Sequence, residues 1–216
     1  MAKKISSTHY STDWPLNLAD RNSLDWTKAI EIIQERFEAR FLKQVEVLIA
    51  HPEKEIRVNS GFVVMSIDCL LVETLNQFYL GLKKTTDKYE RSNNNANYQW
   101  NWQAFRDFFH HSSYFPDFKG NDEIVKTFFN EIRCGLLHQA ESKTNSLINI
   151  QNRQMVIPVV DGDYSKGIII NRNSFHKALR KEFDRYISDL GNPDSTNIFG
   201  EFLRDNCNKK MVELCR

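Results

Sequence analysis

The chain has 216 residues, with 29 Lys and Arg against 28 Asp and Glu, for a formal net charge of +1. Proteins that coat long nucleic acid carry a clear basic excess, so that class is excluded, whereas a small local phosphate site is not. Hydrophobic residues make up 41% and charged residues 26%, the balance of a soluble globular domain.

Residues Met1 to Asn22 are polar and mixed. They read as a surface arm anchored by Trp14-Pro15-Leu16, and they lack the apolar run of a secretory leader. The four cysteines, Cys69, Cys134, Cys207 and Cys215, form no Cys-x-x-Cys pair. The expectation is a reduced, cytoplasmic protein with no metal site and no cofactor. Gly-x-Gly-x-x-Gly, P-loop, Gly-x-Ser-x-Gly and His-Glu-x-x-His runs are all absent from the sequence. Nucleotide-dependent kinase, hydrolase and zinc-protease readings therefore have no support.

Residues 23–216 read as one domain. Ser23 or Asp25 caps a first helix that runs to about Ala50, with Trp26, Ile30, Ile33, Phe37, Phe41, Val45 and Leu48 at helical spacing. His51-Pro52 ends it. A second helix, Arg57 to Leu82, is apolar nearly all round. Asp68, Glu73, Asn76 and Gln77 interrupt it, so it reads as a buried core helix and not a membrane span. A polar loop follows. Tyr98 to His111 forms an aromatic-rich third helix carrying Trp100, Trp102, Phe105, Phe108 and Phe109. Asn121 or Asp122 caps a fourth helix that reaches about Glu141.

Beyond Lys143 the pattern changes to short strands at 146–150, 155–160 and 167–171, with Asp161-Gly162-Asp163 as a turn and Pro158 marking an edge. Ser174 caps a helix to Leu190, stopped by Gly191-Asn192-Pro193, and a last helix spans 195–214. The predicted fold is mainly α, an antiparallel helical bundle with a small, late antiparallel β appendage.

The candidate chemistry lies in Arg133-Cys134-Gly135-Leu136-Leu137-His138, near the end of the fourth helix. Ile124, Val125, Phe128, Phe129, Ile132 and Leu136 form its core stripe. Arg133 and His138 fall on opposite borders of the remaining arc, about 140° apart. Between them lie Cys134 and Leu137, an apolar patch suited to packing against a second copy of the helix across a two-fold axis. A permanent guanidinium charge fits phosphate, and an imidazole moves protons near neutral pH. Together they suit attack of a ribose 2′-hydroxyl on the adjacent phosphodiester, giving a 2′,3′-cyclic phosphate and a 5′-hydroxyl without a metal. Arg106-Asp107-Phe108-Phe109-His110-His111 offers a second, competing Arg/His run. It sits at a fraying helix end, so Arg133 and His138 are preferred.

The Arg133-x4-His138 run in a helical domain resembles the Arg-x4–6-His motif of the HEPN superfamily. The resemblance spans about residues 24 to 190 and is sharp only from Arg133 to His138. It implies a HEPN-like bundle, metal-independent ribonuclease activity, a homodimer with the motif at its interface, and a role as a bacterial antiphage-defence or toxin effector with a cognate antitoxin or regulatory protein. Active members often carry Asn, Asp or His where this chain has Cys134, a weak donor. The alternatives are a catalytically inactive HEPN-like module that binds RNA or a partner protein, and a regulatory subunit of a larger complex.

Four residues are expected to support the pair. Glu73 and Asp68, carboxylates in an apolar helix, need partners; one of them, Glu73 first, suits the orientation of Arg133 or His138, and the alternative is an ion pair with another basic residue or partial exposure at a bundle edge. Cys134 lies inside the motif and Gln139 directly follows it, and Gln139 and Glu141 could contact substrate. Tyr98, Trp100, Trp102 and Phe105 are candidates for base stacking or for core. Lys181, Arg180 and Arg185 are candidates to touch a phosphate backbone, but the interspersed Glu182 and Asp184 favour an ordinary charged face.

Overall fold

The apolar period that starts at Trp26 winds into α1 (Asp25–Phe37), passes through a π turn (Glu38–Leu42) and continues as α2 (Lys43–Ile49). In this computed structural model residues 2–15, 17–88, 102–139 and 145–216 are described, with Thr86 and residues 137–139 described by their backbone alone. A π turn bonds i to i+5 and adds one residue to the step between successive core positions. The core therefore steps from Phe37 to Leu42, and the expected Phe41 is only partly buried. Ser23 supports the start of α1 by accepting the Asp25 amide at 3.2 Å.

The predicted second helix is two helices, α3 (Lys54–Asn59) and α4 (Gly61–Leu80), with Ser60 leaving helical geometry between them. The break has a cause. Arg172 Nη1 donates to Ser60 Oγ at 3.0 Å, and a Cβ at Gly61 would lie 3.3 Å from Ile148. At the far end, Gly81 takes φ 63°, and a side chain there would meet Asn206 at 2.9 Å. α4 has the length and hydropathy of a membrane span, but 61% of that window is buried inside the fold. It is the central core helix.

α5 (Trp102–His111) packs on α4. The expected third-helix residues Tyr98 and Trp100 lie outside the described residues. The fourth helix is α6 (Asp122–Thr127), a π turn (Phe128–Arg133) and α7 (Cys134–Gln139). Asn121 caps it, accepting the Ile124 amide at 3.2 Å. Ile124, Val125, Phe128, Phe129, Ile132 and Leu136 are all buried, as their spacing predicts. Phe105, Phe108, Phe109, Phe115, Phe118, Phe128 and Phe175 form one aromatic core with centroid spacings from 4.3 to 6.2 Å.

The appendage is a three-stranded sheet of β1 (Leu147–Asn149), β2 (Val156–Val160) and β3 (Asp163–Asn171), in the order β1-β3-β2. β2 and β3 form the expected antiparallel hairpin, turning through Gly162, and Pro158 lies on the edge strand β2. β1, however, pairs parallel to β3, so the sheet is mixed and not antiparallel. Segment 150–155 carries the chain back across the sheet before the hairpin begins. β3 starts at Asp163, before its apolar run, because the hairpin pairs Val160 with Asp163 and Tyr164 packs against the core.

α8 (Arg172–Gly191) is capped by Asn171 and not by Ser174; Asn171 Oδ1 accepts the amides of Asn173 and Ser174 at 3.0 and 3.1 Å. α8 runs parallel to α4. Ser60 meets Arg172, Asp68 meets His176 at 2.8 Å, and Tyr79 meets Glu182 at 2.7 Å, with both numberings rising together. The bundle is therefore not wholly antiparallel, because β1 and β3 return the chain to the start of α4 before α8 begins. α9 (Leu203–Cys215) starts at Leu203 and not near 195. Asn197 holds the preceding loop, donating to the Tyr79 carbonyl at 2.8 Å and accepting the amides of Phe199 and Glu201. α9 lies antiparallel to α4, with Lys210 on Gln77 at 2.6 Å and Asn206 on the Tyr79 carbonyl at 2.9 Å.

The N-terminal arm packs on α1 and α9 through buried Ile5, Trp14 and Leu18. Trp14 Nε1 donates to Asn208 at 3.1 Å, which makes it the anchor its position suggests.

Candidate active site

Arg133 is the last residue of the π turn, where the helix register has slipped by one residue. Its guanidinium leans over the ring of Phe129, 5.3 Å from the centroid, and points toward α4. There Nη2 meets Glu73 Oε2 at 3.3 Å. The other carboxylate oxygen of Glu73 accepts from Thr85 Oγ1 at 2.6 Å, and Gln77 Nε2 donates to Thr85 Oγ1 at 2.8 Å. Glu73 is thus held from one side by a hydroxyl and from the other by the arginine. The two side chains are 15% and 19% exposed, which leaves one side of the ion pair at the surface. Arginine has five donors, and one contact to a carboxylate leaves others for a phosphate.

His138 and Gln139 lie in α7, where the backbone is described and the side chains fall outside the described residues. Their helix places His138 five residues beyond Arg133, about 7.5 Å along the axis. Glu141 lies outside the described residues. Cys134 is partly buried and packs against the core. Beneath it, Cys69 is fully buried, and burial pushes its thiol well above the usual range, with Asp68 adding to the rise and Arg133 opposing it.

Asp68 does not join this arrangement. It is fully buried on the α8 side of α4 and pairs with His176 Nδ1 at 2.8 Å. Burial raises its carboxyl, and the His176 contact works against that rise. Of the two carboxylates singled out in the sequence, Glu73 reaches Arg133 and Asp68 holds α4 to α8.

The competing run on α5 does not assemble. Arg106 turns to Asp107 at 3.1 Å. The His111 imidazole packs edge-on against Tyr79, with centroids 4.5 Å apart. Burial lowers His111 to about 4, with Arg185 reinforcing the shift, so it is neutral near neutral pH.

The sequence gives no sign of Thr85 as the second partner of Glu73, or of Gln77 as the donor to that Thr85 hydroxyl. The spacing of Glu73 and Gln77, one helical turn apart, signals only that both face one neighbour. Phe105 is core, fully buried, whereas Trp102 is only partly buried. Arg180 and Arg185 are tied to Glu38, Glu46, Asp184 and Glu182. Among the described residues, no group of three His, Cys, Asp or Glu side chains is arranged to hold a metal ion.

No family model matches the chain, and no curated protein or solved structure matches it significantly.

Proposed function

We propose that this protein is a HEPN-like, metal-independent endoribonuclease in which Arg133 stabilises charge on the scissile phosphate and His138 transfers the proton. The observation that carries the reading is the Glu73–Arg133 ion pair at the head of the motif helix. A carboxylate fixed by a second donor holds a guanidinium directed, the preorganisation that stabilisation of a phosphorane-like transition state requires. His138 takes the proton from the 2′-hydroxyl or delivers one to the 5′-oxygen leaving group. The substrate is RNA, because DNA lacks the attacking hydroxyl. The proposed setting is a cytoplasmic homodimer joined through the motif helix, acting in bacterial antiphage defence or as a toxin with a cognate antitoxin.

One observation favours a second reading, a non-catalytic module that binds RNA or a partner protein. Arg133 already has a carboxylate partner and is only 15% exposed, as a structural ion pair would be. Incubation of a mixed RNA pool with the protein in EDTA separates the two. Cleavage by the wild type that is lost in both Arg133→Ala and His138→Ala supports the enzyme. Intact RNA that is nonetheless bound supports the module.

A further inference from the structure

We infer that Trp102, Lys126 and Arg106 form a landing place for single-stranded RNA that leads toward Arg133. Trp102 opens α5 and is partly exposed, whereas Phe105, Phe108 and Phe109, further along the same helix, are sealed in the core. Two cations converge on its indole: Lys126 Nζ from α6 lies 4.7 Å from the ring centroid, and Arg106 Cζ lies 5.5 Å from it. An accessible aromatic surface flanked by cations is the pattern that binds single strands, with bases on the ring and phosphates on the charges.

The landing place is joined to the proposed catalytic arginine. Phe105 packs on Phe129 at 5.4 Å, and the Phe129 ring lies beneath the Arg133 guanidinium at 5.3 Å. Lys126 and Asn130 are exposed along the helix that carries Arg133. The axial separation from Lys126 to Arg133 is about 10 Å, within the reach of neighbouring nucleotides.

The nearby acids fix how the cations are used. Asp107 accepts from Arg106 Nε and Nη2 at 3.3 and 3.1 Å and also meets Lys88 at 3.8 Å. Arg106 is thereby oriented and keeps further donors. Glu123 is exposed in the first turn of α6, but Lys126 makes no ion pair among the described residues. A cation–π contact at an exposed ring is weaker than a base–aromatic stack. An arriving base therefore displaces the Lys126 ammonium from the indole and leaves it to pair with the adjacent phosphate.

The inference names the substrate path of the site proposed above and rests on that reading, so its test measures binding apart from cleavage. The probe is a fluorescein-labelled, mixed-sequence single-stranded RNA oligonucleotide with 2′-O-methyl riboses, which 2′-hydroxyl attack cannot cut, titrated against full-length protein and followed by anisotropy, with cleavage read separately on unmodified RNA. Trp102→Ala should weaken binding roughly tenfold, with partial recovery in Trp102→Phe. Lys126→Glu, an exposed change that spares the core, should weaken binding and make the logarithmic salt slope shallower by about one. Arg133→Ala should abolish cleavage while most of the binding survives. Unchanged affinity in both Trp102→Ala and Lys126→Glu, or no binding by the wild type, overturns the landing place. RNA that is bound through these residues but never cut leaves the landing place standing and overturns the nuclease.

Discussion

At the scale of single residues, the proposal turns on what Glu73 does for Arg133. Its carboxylate accepts from Thr85 and faces the guanidinium, so its charge and its position both matter. Glu73→Gln keeps the shape and the Thr85 bond but removes the charge. It should lower the rate of RNA cleavage with little change in fold, and an unchanged single-turnover rate would remove Glu73 from the mechanism. Arg133→Ala leaves a partly buried carboxylate without its counter-ion. The cost lies between the exposed and buried limits for ion pairs, about 1–2 kcal/mol, and is readable by urea denaturation. This much of the site was legible, because a carboxylate in an apolar helix demands a partner. Asp68 makes the same demand on the other flank of α4 and meets it with His176, and the sequence carries no sign of which acid turns which way.

Glu35 offers a second test at this scale. Burial raises its carboxyl, but hydrogen bonds from Ser7, Thr8, His9 and Ser6 outweigh that effect and lower it from 4.5 to about 2. A carboxyl depressed on folding contributes stability that is full above its unfolded value and is lost as pH falls through the folded one. The clasp of the arm on α1 should therefore hold above pH 4.5 and weaken progressively toward pH 2. An NMR titration of Glu35 should show a midpoint near 2 that rises in Thr8→Ala. A midpoint near 4.5 in the wild type would contradict the clasp.

At the scale of elements, the helices were legible from their periodicity and their irregularities were not. A 100° projection places Ile124, Val125, Phe128 and Phe129 on the core correctly. It does not foresee the π turns at Glu38–Leu42 and Phe128–Arg133, because an i→i+5 slip leaves no composition signal. Their consequence is local: Leu42 replaces Phe41 in the core, and Arg133 leaves the π turn directed at α4. The break at Ser60 was hidden for a related reason, since its cause is the distant Arg172. Between α4 and α8 lies a buried polar node at Glu182, which accepts from Tyr79 at 2.7 Å and Ser112 at 2.6 Å and also pairs with Arg185. Glu182→Ala would leave two hydroxyls and a guanidinium without their acceptor. It should destabilise the fold by about 3–5 kcal/mol, seen as a large drop in thermal midpoint. A drop equivalent to less than about 1 kcal/mol would mean that water replaces the carboxylate.

At the scale of the molecule, a mainly helical chain with a small late sheet could be read from the sequence, and the path of the chain could not. Strand polarity depends on where the connection crosses, and residues 150–155 do not reveal that β1 lies parallel to β3. The parallel placement of α8 on α4 follows from that crossing. The motif helix, in turn, packs on α4 through Glu73, so the long apolar helix both fills the core and positions the candidate arginine. The proposed dimer belongs to this scale. Sedimentation at rising concentration should show a dimer, and a strict monomer at high concentration would contradict a site shared across a two-fold axis.

The most direct measurement is the chemistry of the cut ends. A defined RNA oligonucleotide is incubated with the protein in EDTA, beside an all-deoxy copy and the Arg133→Ala and His138→Ala variants. The account predicts wild-type fragments ending in a 2′,3′-cyclic phosphate and a 5′-hydroxyl, intact DNA, and cleavage lost in both variants. Products ending in a 5′-phosphate, or cleavage that survives removal of either side chain, would contradict it.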